Sequence, residues 1–174
     1  MDAMANGGGS DPTDRGEFRR VLGHYPTGVT VVTAACADGP EGMTIGSFNS
    51  VSLDPPLVSF CPARDSDSWV RMREVDSFCV NVLGDHQADV STIFASRVDD
   101  RFAAVATRAE ATGAPVIEGC LAWIDCRVEA VHAAGDHDIV VGRAVALGTD
   151  ADTSDSPARP LVFFKGAYGR VAGL

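Results

Sequence analysis

Gly42-Met-Thr-Ile-Gly-Ser-Phe-Asn-Ser-Val-Ser-Leu-Asp-Pro-Pro-Leu-Val-Ser-Phe-Cys61 is the stretch on which the fold turns. It reads as strand, stops at Asp54-Pro55-Pro56 and resumes as an apolar strand. A strand built only for packing carries more β-branched and large apolar side chains. Here Thr44, Gly46, Ser47, Asn49, Ser50 and Ser52 leave one surface low, polar and rich in donors. That surface has two readings. One is a serine-rich strand closed by proline; the other is a bed on which a flat polar ligand lies against backbone and hydroxyl groups.

On the N-terminal side, Asp14 and Glu17 have the form of a capping box, and Phe18, Val21, Leu22 and Tyr25 follow at helical spacing. Pro26-Thr-Gly28 ends that helix, Val29 to Ala34 is a β-branched strand, and Asp38-Gly39-Pro40 is a turn. On the C-terminal side, Ser66 to Val75 predicts a short helix with Trp69 and Met72 facing inward. Phe78 to Leu83 is a strand, Gln87 to Phe94 a helix, and Val98 to Gly113 polar and irregular. Two long strands, Leu121 to Val131 and Ile139 to Leu147, flank Gly135-Asp-His-Asp138. Leu161 to Phe164 and a short strand near Tyr168 close the chain, after an acidic loop from Asp150 to Pro157.

Six or seven strands without regular intervening helices argue against a doubly wound parallel sheet. They predict a mainly β protein with short helices, an antiparallel, Greek-key type barrel that removes sheet edges. Residues 1–13 are expected to be a disordered tail, and 14–174 one domain.

Composition narrows the partners. The net charge of -10, with 14 basic residues in 174, argues against nucleic acid, which needs a basic stripe to neutralise phosphates. No apolar run is long enough to span a bilayer, and the N-terminus lacks the pattern of a secretion signal. Cys36, Cys61, Cys79, Cys120 and Cys126 are widely spaced and odd in number, which points to free thiols in a cytoplasmic protein. Neither a G-x-G-x-x-G nor a G-x-x-x-x-G-K-[ST] loop is present, and no G-x-S-x-G elbow.

Three groups of residues are candidates for chemistry. Ser66 and Ser68, with Arg64 just ahead, begin a helix whose free N–H groups favour an anion, or they simply cap it. Phe94-Ala-Ser-Arg97 and Arg101-Phe102 place small residues beside two arginines, suited to a phosphate or to pairing with Asp99 and Asp100. Gly135-Asp136-His137 suits a hairpin turn that puts an imidazole at the barrel rim. His132, Asp136 and His137 are the nearest approach to a metal-ligand set, and no metal is expected.

Taken together, the chain resembles the short-chain flavin reductases with an FMN-binding split barrel, the small components of two-component flavin-dependent monooxygenases. The matching residues are Pro26 to Thr33, Gly42-Met-Thr44, Ser47-Phe48, Ser50 to Val58, Phe78 to Leu83, Gly135-Asp-His137, and Pro160 to Phe164 with Gly166 and Tyr168. The likeness runs in order from about Phe18 to Tyr168. It implies a split barrel and hydride transfer from NAD(P)H to FAD or FMN, with NADH preferred over NADPH on separate grounds. It implies that Gly46, Ser47, Phe48, Asn49 and Ser50 contact the isoalloxazine and ribityl chain, and that Ser52 and Leu53 continue that wall. Ser66, Asp67, Ser68 and Trp69 match the segment near the flavin phosphate, Ala95 and Ser96 meet it from the other side, and Arg101 stands beside them. Gly135, Asp136 and His137 match the motif that holds the nicotinamide nucleotide. A homodimer and a partner monooxygenase that receives reduced flavin are likewise implied. Gly46 departs from the pattern, since many relatives carry a larger polar residue there. A flavin-binding barrel without enzymatic activity, acting as carrier or sensor, is the alternative. The preference for NADH rests on the lack of a basic cluster near Gly135 in the sequence, with Asp136 and Asp138 opposing a ribose phosphate.

Overall fold

The computed structural model describes residues 11–98, 100–150 and 159–172. The expected tail therefore lies outside the described residues except for 11–13, as does most of the acidic loop at 150–157.

The elements run in chain order as α1 (Arg15–Leu22), β1 (Thr27–Gly28), β2 (Thr30–Cys36), β3 (Gly39–Ile45), β4 (Asn49–Leu53), β5 (Pro56–Phe60), α2 (Asp67–Met72) and β6 (Ser77–Val82). A 3-10 turn (Asp85–Gln87) leads into α3 (Ala88–Ala95). There follow β7 (Thr107–Ala109), β8 (Pro115–Ile117), β9 (Ala122–Ala134), β10 (His137–Gly148), β11 (Leu161–Phe164) and β12 (Ala167–Arg170). The main sheet has seven strands in the order β3-β2-β6-β9-β10-β5-β4, and every pairing is antiparallel. The step from β5 to β6 skips two positions that the β9–β10 hairpin later fills, which is the Greek-key connection expected from the sequence.

The opening stretch is not one hydroxyl-rich strand followed by another. It is three strands, and the break falls at Gly46-Ser-Phe48. Those three residues join β3 to β4, the two opposite edges of the sheet. In a flat seven-stranded sheet the edges stand about 29 Å apart at 4.8 Å per strand. Four Cα steps from Ile45 to Asn49 reach about 15 Å at most. The sheet must therefore curl until its edges approach, yet β3 and β4 are not hydrogen-bonded to each other. The result is a split barrel. Ser47 fastens the tether, since its hydroxyl accepts from the Cys61 N–H at 2.9 Å and donates to the Cys61 carbonyl at 3.3 Å.

Alternation along the strands separates the two larger cores from each other, and a third, smaller one gathers Cys79, Val116, Cys120 and Trp123. Val32 and Ala34 of β2 enter the barrel interior with Phe60, Phe78, Val80 and Val140, and α2 caps it with Trp69 and Met72. Val29 and Val31, on the other face, pack with Leu83, Phe94, Ile117 and Leu161 under α3. Gly42 permits that docking, because a Cβ there would stand 2.7 Å from the Phe94 ring.

Two sequence expectations change. The irregular segment at 98–113 contains β7, whose Thr-Arg-Ala sequence has no apolar alternation to announce it. It is held from outside, by the fully buried Asp125, which accepts from the Thr112 N–H at 2.8 Å and from its hydroxyl at 2.5 Å. The helix α1 is capped by Asp14 as expected, but none of its residues is buried, and Phe18, Val21, Leu22 and the following Tyr25 are exposed.

Candidate functional site

The main cavity, of about 600 Å³, opens where the tether, the segment after β5 and the end of α3 meet. That volume is in the range of small-molecule sites. One wall is Gly46 and Ser47, a second is Ser66, Asp67 and Ser68, a third is Ala95, Ser96, Arg97 and Arg101, and His137 stands at the rim. Residues far apart in sequence are thus assembled because the barrel closure brings the β3 end to the strand that precedes α2.

Of the other residues singled out from the sequence, several stand elsewhere. Phe48 packs against the barrel core, and with Asn49 it lines a separate, smaller cavity beside Tyr25. Ser50, Ser52 and Leu53 lie on the edge strand β4, and Leu53 is 93% exposed. Trp69 is buried, with its indole N–H donating to Asp138 Oδ2 at 2.8 Å, so it serves the barrel cap and not this cavity's surface. Gly135 and Asp136 face a different cavity from His137. A Cβ on Gly46 would meet Thr27 Oγ1 at 3.0 Å, so a larger residue there would have to displace the Thr27 hydroxyl.

The two arginines near α3 have different duties. Arg101 is committed. It donates from Nη1 to the Ser68 hydroxyl at 2.7 Å, and from Nε and Nη2 to the Ser96 carbonyl at 3.1 and 2.8 Å. Its Nη1 also lies 3.6 Å from Glu41 Oε2, while Glu41 Oε1 takes Arg71 Nε at 2.5 Å. Arg101 is a strut between two walls. Arg97 also lines the cavity and has no hydrogen bond or ion pair among the described residues, which leaves its guanidinium fork free for an anion. The sequence signal for Arg97 was its place after two small residues at a helix end. The short α2 adds little dipole, so side chains must carry an anion's charge.

At the rim, His137 Nδ1 lies 2.7 Å from Asp136 Oδ1. A carboxylate only accepts, so the proton is on Nδ1 and Nε2 is left free. The hydrogen bond from His137 holds the Asp136 carboxyl below its usual range, and Arg15, 3.2 Å from Oδ2, adds to this. Among the described residues no group of three potential metal ligands comes together. Buried polar side-chain atoms among the described residues all have partners.

Comparison with known proteins gives a consistent picture. Residues 22–172 match the family model described as flavin reductase like domain. The chain is 48% identical over 158 residues to a flavin reductase of Pseudomonas putida, covering 90% of each. It is 46% identical over 154 residues to the reductase subunit HsaB of a flavin-dependent monooxygenase of Mycobacterium tuberculosis, covering 87% of this chain and 79% of that protein. Among solved structures, the NADH:FAD oxidoreductase of Streptomyces globisporus, in complex with NAD and FAD fragments, superposes with a TM-score of 0.87 at 36% identity, covering 95% of this chain and 97% of that one.

Proposed function

Because the chain belongs to the flavin reductase-like family, we propose that it is an NADH:flavin oxidoreductase that supplies reduced FAD or FMN to a partner monooxygenase. The observation that carries this reading is the convergence of Gly46-Ser47, Ser66 to Ser68, Ala95 to Arg97 and His137 on one cavity. The residues present fit a flavin, since a cavity of this volume has a free guanidinium at one wall and small residues at the others. A bound flavin supplies the hydride acceptor.

This chain's own residues bind and orient. Arg97 takes the phosphate end, and Ser66 offers a hydroxyl beside it, while the Ser96 hydroxyl donates to the Ile93 carbonyl at 2.7 Å and only braces the end of α3. Ser47 is committed to Cys61, so the tether presents mainly backbone. His137, with its ring fixed by Asp136, positions the nicotinamide and moves no proton. Hydride transfer needs no acid or base on the donor carbon, so alignment of the two rings is the protein's main contribution. Arg101 and Glu41 keep the walls at a fixed separation.

A homodimer completes the reading. Phe48 to Leu53 lie away from the cavity of their own chain, and the exposed apolar face of α1 adds Phe18, Val21 and Leu22. A second copy placed over these surfaces brings edge-strand residues toward a neighbouring site. Light scattering that gives a monomer at working concentration would remove this part. No described helix is long and apolar enough to cross a membrane, and all five cysteines are free, which supports a cytoplasmic setting.

The test is steady-state oxidation of NADH with and without added FMN or FAD. The expected outcome is NADH loss that requires flavin and saturates in both substrates. Flavin binding without NADH oxidation would leave a carrier.

A further inference from the structure

A second cavity, of about 430 Å³, is lined by Arg64, Asp65, Arg73, Gly135 and Asp136. It adjoins the main one. Asp65 lines both, and the Asp136–His137 turn stands between them with one residue on each. In the sequence no basic cluster is visible near Gly135, but the fold brings two arginines to it from the other side of the barrel mouth. That removes the sequence-based ground for preferring NADH.

The arrangement is built by main chain and by one buried carboxylate. The Arg64 N–H donates to the Asp136 carbonyl at 3.0 Å, and Ala63 pairs with His137 in an antiparallel bridge. Asp138 is only 7% exposed; its Oδ2 is held by the Trp69 indole, and its Oδ1 lies 3.4 Å from Arg64 Nε. The root of the guanidinium is thus fixed, and its terminal N–H groups have no partner among the described residues. Arg73 follows α2 and, among the described residues, its side chain approaches Glu74 alone, at 3.5 Å. The carboxylates that would oppose an anion are occupied. Asp136 is taken by His137 and Arg15, and Asp138 by Trp69 and Arg64. Asp65 has no partner among the described residues, and it sits on the wall between the cavities.

From His137 outward the order is therefore imidazole, free carboxylate, paired guanidiniums. A nicotinamide dinucleotide has the matching order of nicotinamide, ribose, pyrophosphate. We propose that this second cavity binds the pyrophosphate of the dinucleotide, with Arg64 and Arg73 donating to its oxygens and Asp65 accepting from the ribose hydroxyls. The proposal rests on the reading of the chain as an NADH-dependent flavin reductase. Two guanidiniums suit phosphate oxygens by geometry as well as charge. An Asp or Glu that accepts from ribose is a familiar element of dinucleotide sites.

The test uses the full chain and the double variant R64A/R73A. Both side chains are exposed, so the variant should fold, and an unchanged Tm checks this. The expected result is a KM rise of about tenfold for NADH, an equal rise for NADPH, and no change in the KM for flavin. An unchanged KM for NADH overturns the proposal. So does an equal rise for NADH and flavin, which would make the arginines structural, or a rise for NADPH alone, which would assign them to the ribose phosphate. ADP-ribose, which has the pyrophosphate but no nicotinamide, reads the cavity independently of turnover. It should raise the Tm of the wild type and not of the variant, and no shift in the wild type overturns the assignment. Absence of NADH oxidation by a wild type that still responds to ADP-ribose would sink the enzymatic reading and leave the cavity.

Discussion

Arg101 donates to the Ser68 hydroxyl at 2.7 Å and, from the same guanidinium, to the Ser96 carbonyl. One side chain therefore sets the distance between the start of α2 and the end of α3. Arg101→Ala should loosen both walls and leave the Ser68 hydroxyl without its partner, while Glu41 keeps Arg71. We expect flavin affinity to fall by one to two orders of magnitude and stability by about 1–3 kcal/mol. Flavin fluorescence titration and urea denaturation measure the two effects.

Arg97 should behave differently, because it holds no other described residue in place. Arg97→Ala is expected to weaken FMN binding about tenfold, to leave riboflavin binding unchanged, and to leave stability within about 0.5 kcal/mol. Equal losses for FMN and riboflavin would contradict a phosphate role.

Asp138 serves the barrel from inside. Asp138→Ala strands the buried Trp69 indole N–H and frees Arg64. A loss of about 1–3 kcal/mol in urea denaturation is expected. The KM for NADH should rise as well, since Arg64 loses its anchor.

The buried thiols give the fold an alkaline limit. Burial pushes Cys120 and Cys126 up to about 12, and Cys79 is also raised, first by burial and then by the Asp125 charge. A thiol whose folded value is raised stabilises fully below its unfolded value near 9 and loses that contribution as pH climbs toward 12. The Tm should therefore fall steadily from pH 9 upward. A thiol reagent at neutral pH should reach at most the two partly exposed cysteines, Cys36 and Cys61, until the protein is unfolded.

Gly142 lies at a register shift between β9 and β10, where a Cβ would overlap the Phe78 ring. Gly142→Ala should cost about 1–3 kcal/mol in a denaturation series, and Phe78→Leu in the same chain should recover part of it.

The sequence was most legible where period and chemistry agreed. The β-branched run at 29–34, the two long strands around Gly135, and the Asp14 and Ser66 caps all emerged with bounds close to those observed. It was least legible where a residue's role is set by something distant. Helical spacing turned Trp69 inward correctly, whereas the resemblance put it near the flavin phosphate; its partner, Asp138, lies 69 residues on and left no local sign. Arg64 and Arg73 are ordinary exposed arginines until the β9–β10 hairpin arrives beside them. β7 is a strand because it pairs with β8 and buried Asp125 pins the turn that follows it, both set from outside its own sequence. The polar surface at 46–53 was read as one wall, and its period gave no sign that Gly46 to Phe48 leaves the sheet at one edge and re-enters it at the other.

That crossing has an evolutionary reading. Two of the three residues that draw the sheet into a barrel, Gly46 and Ser47, are also a wall of its cavity, so curvature and ligand fit cannot drift separately there. A substitution that reshapes that wall also alters how far the slit between β3 and β4 gapes. The walls at 64–68 and 95–97 are braced by Arg101 but do not join the edges of the sheet. A larger side chain at Gly46 would need a matching change at Thr27, which it would press upon, so the two positions form one unit of ligand fit and barrel closure.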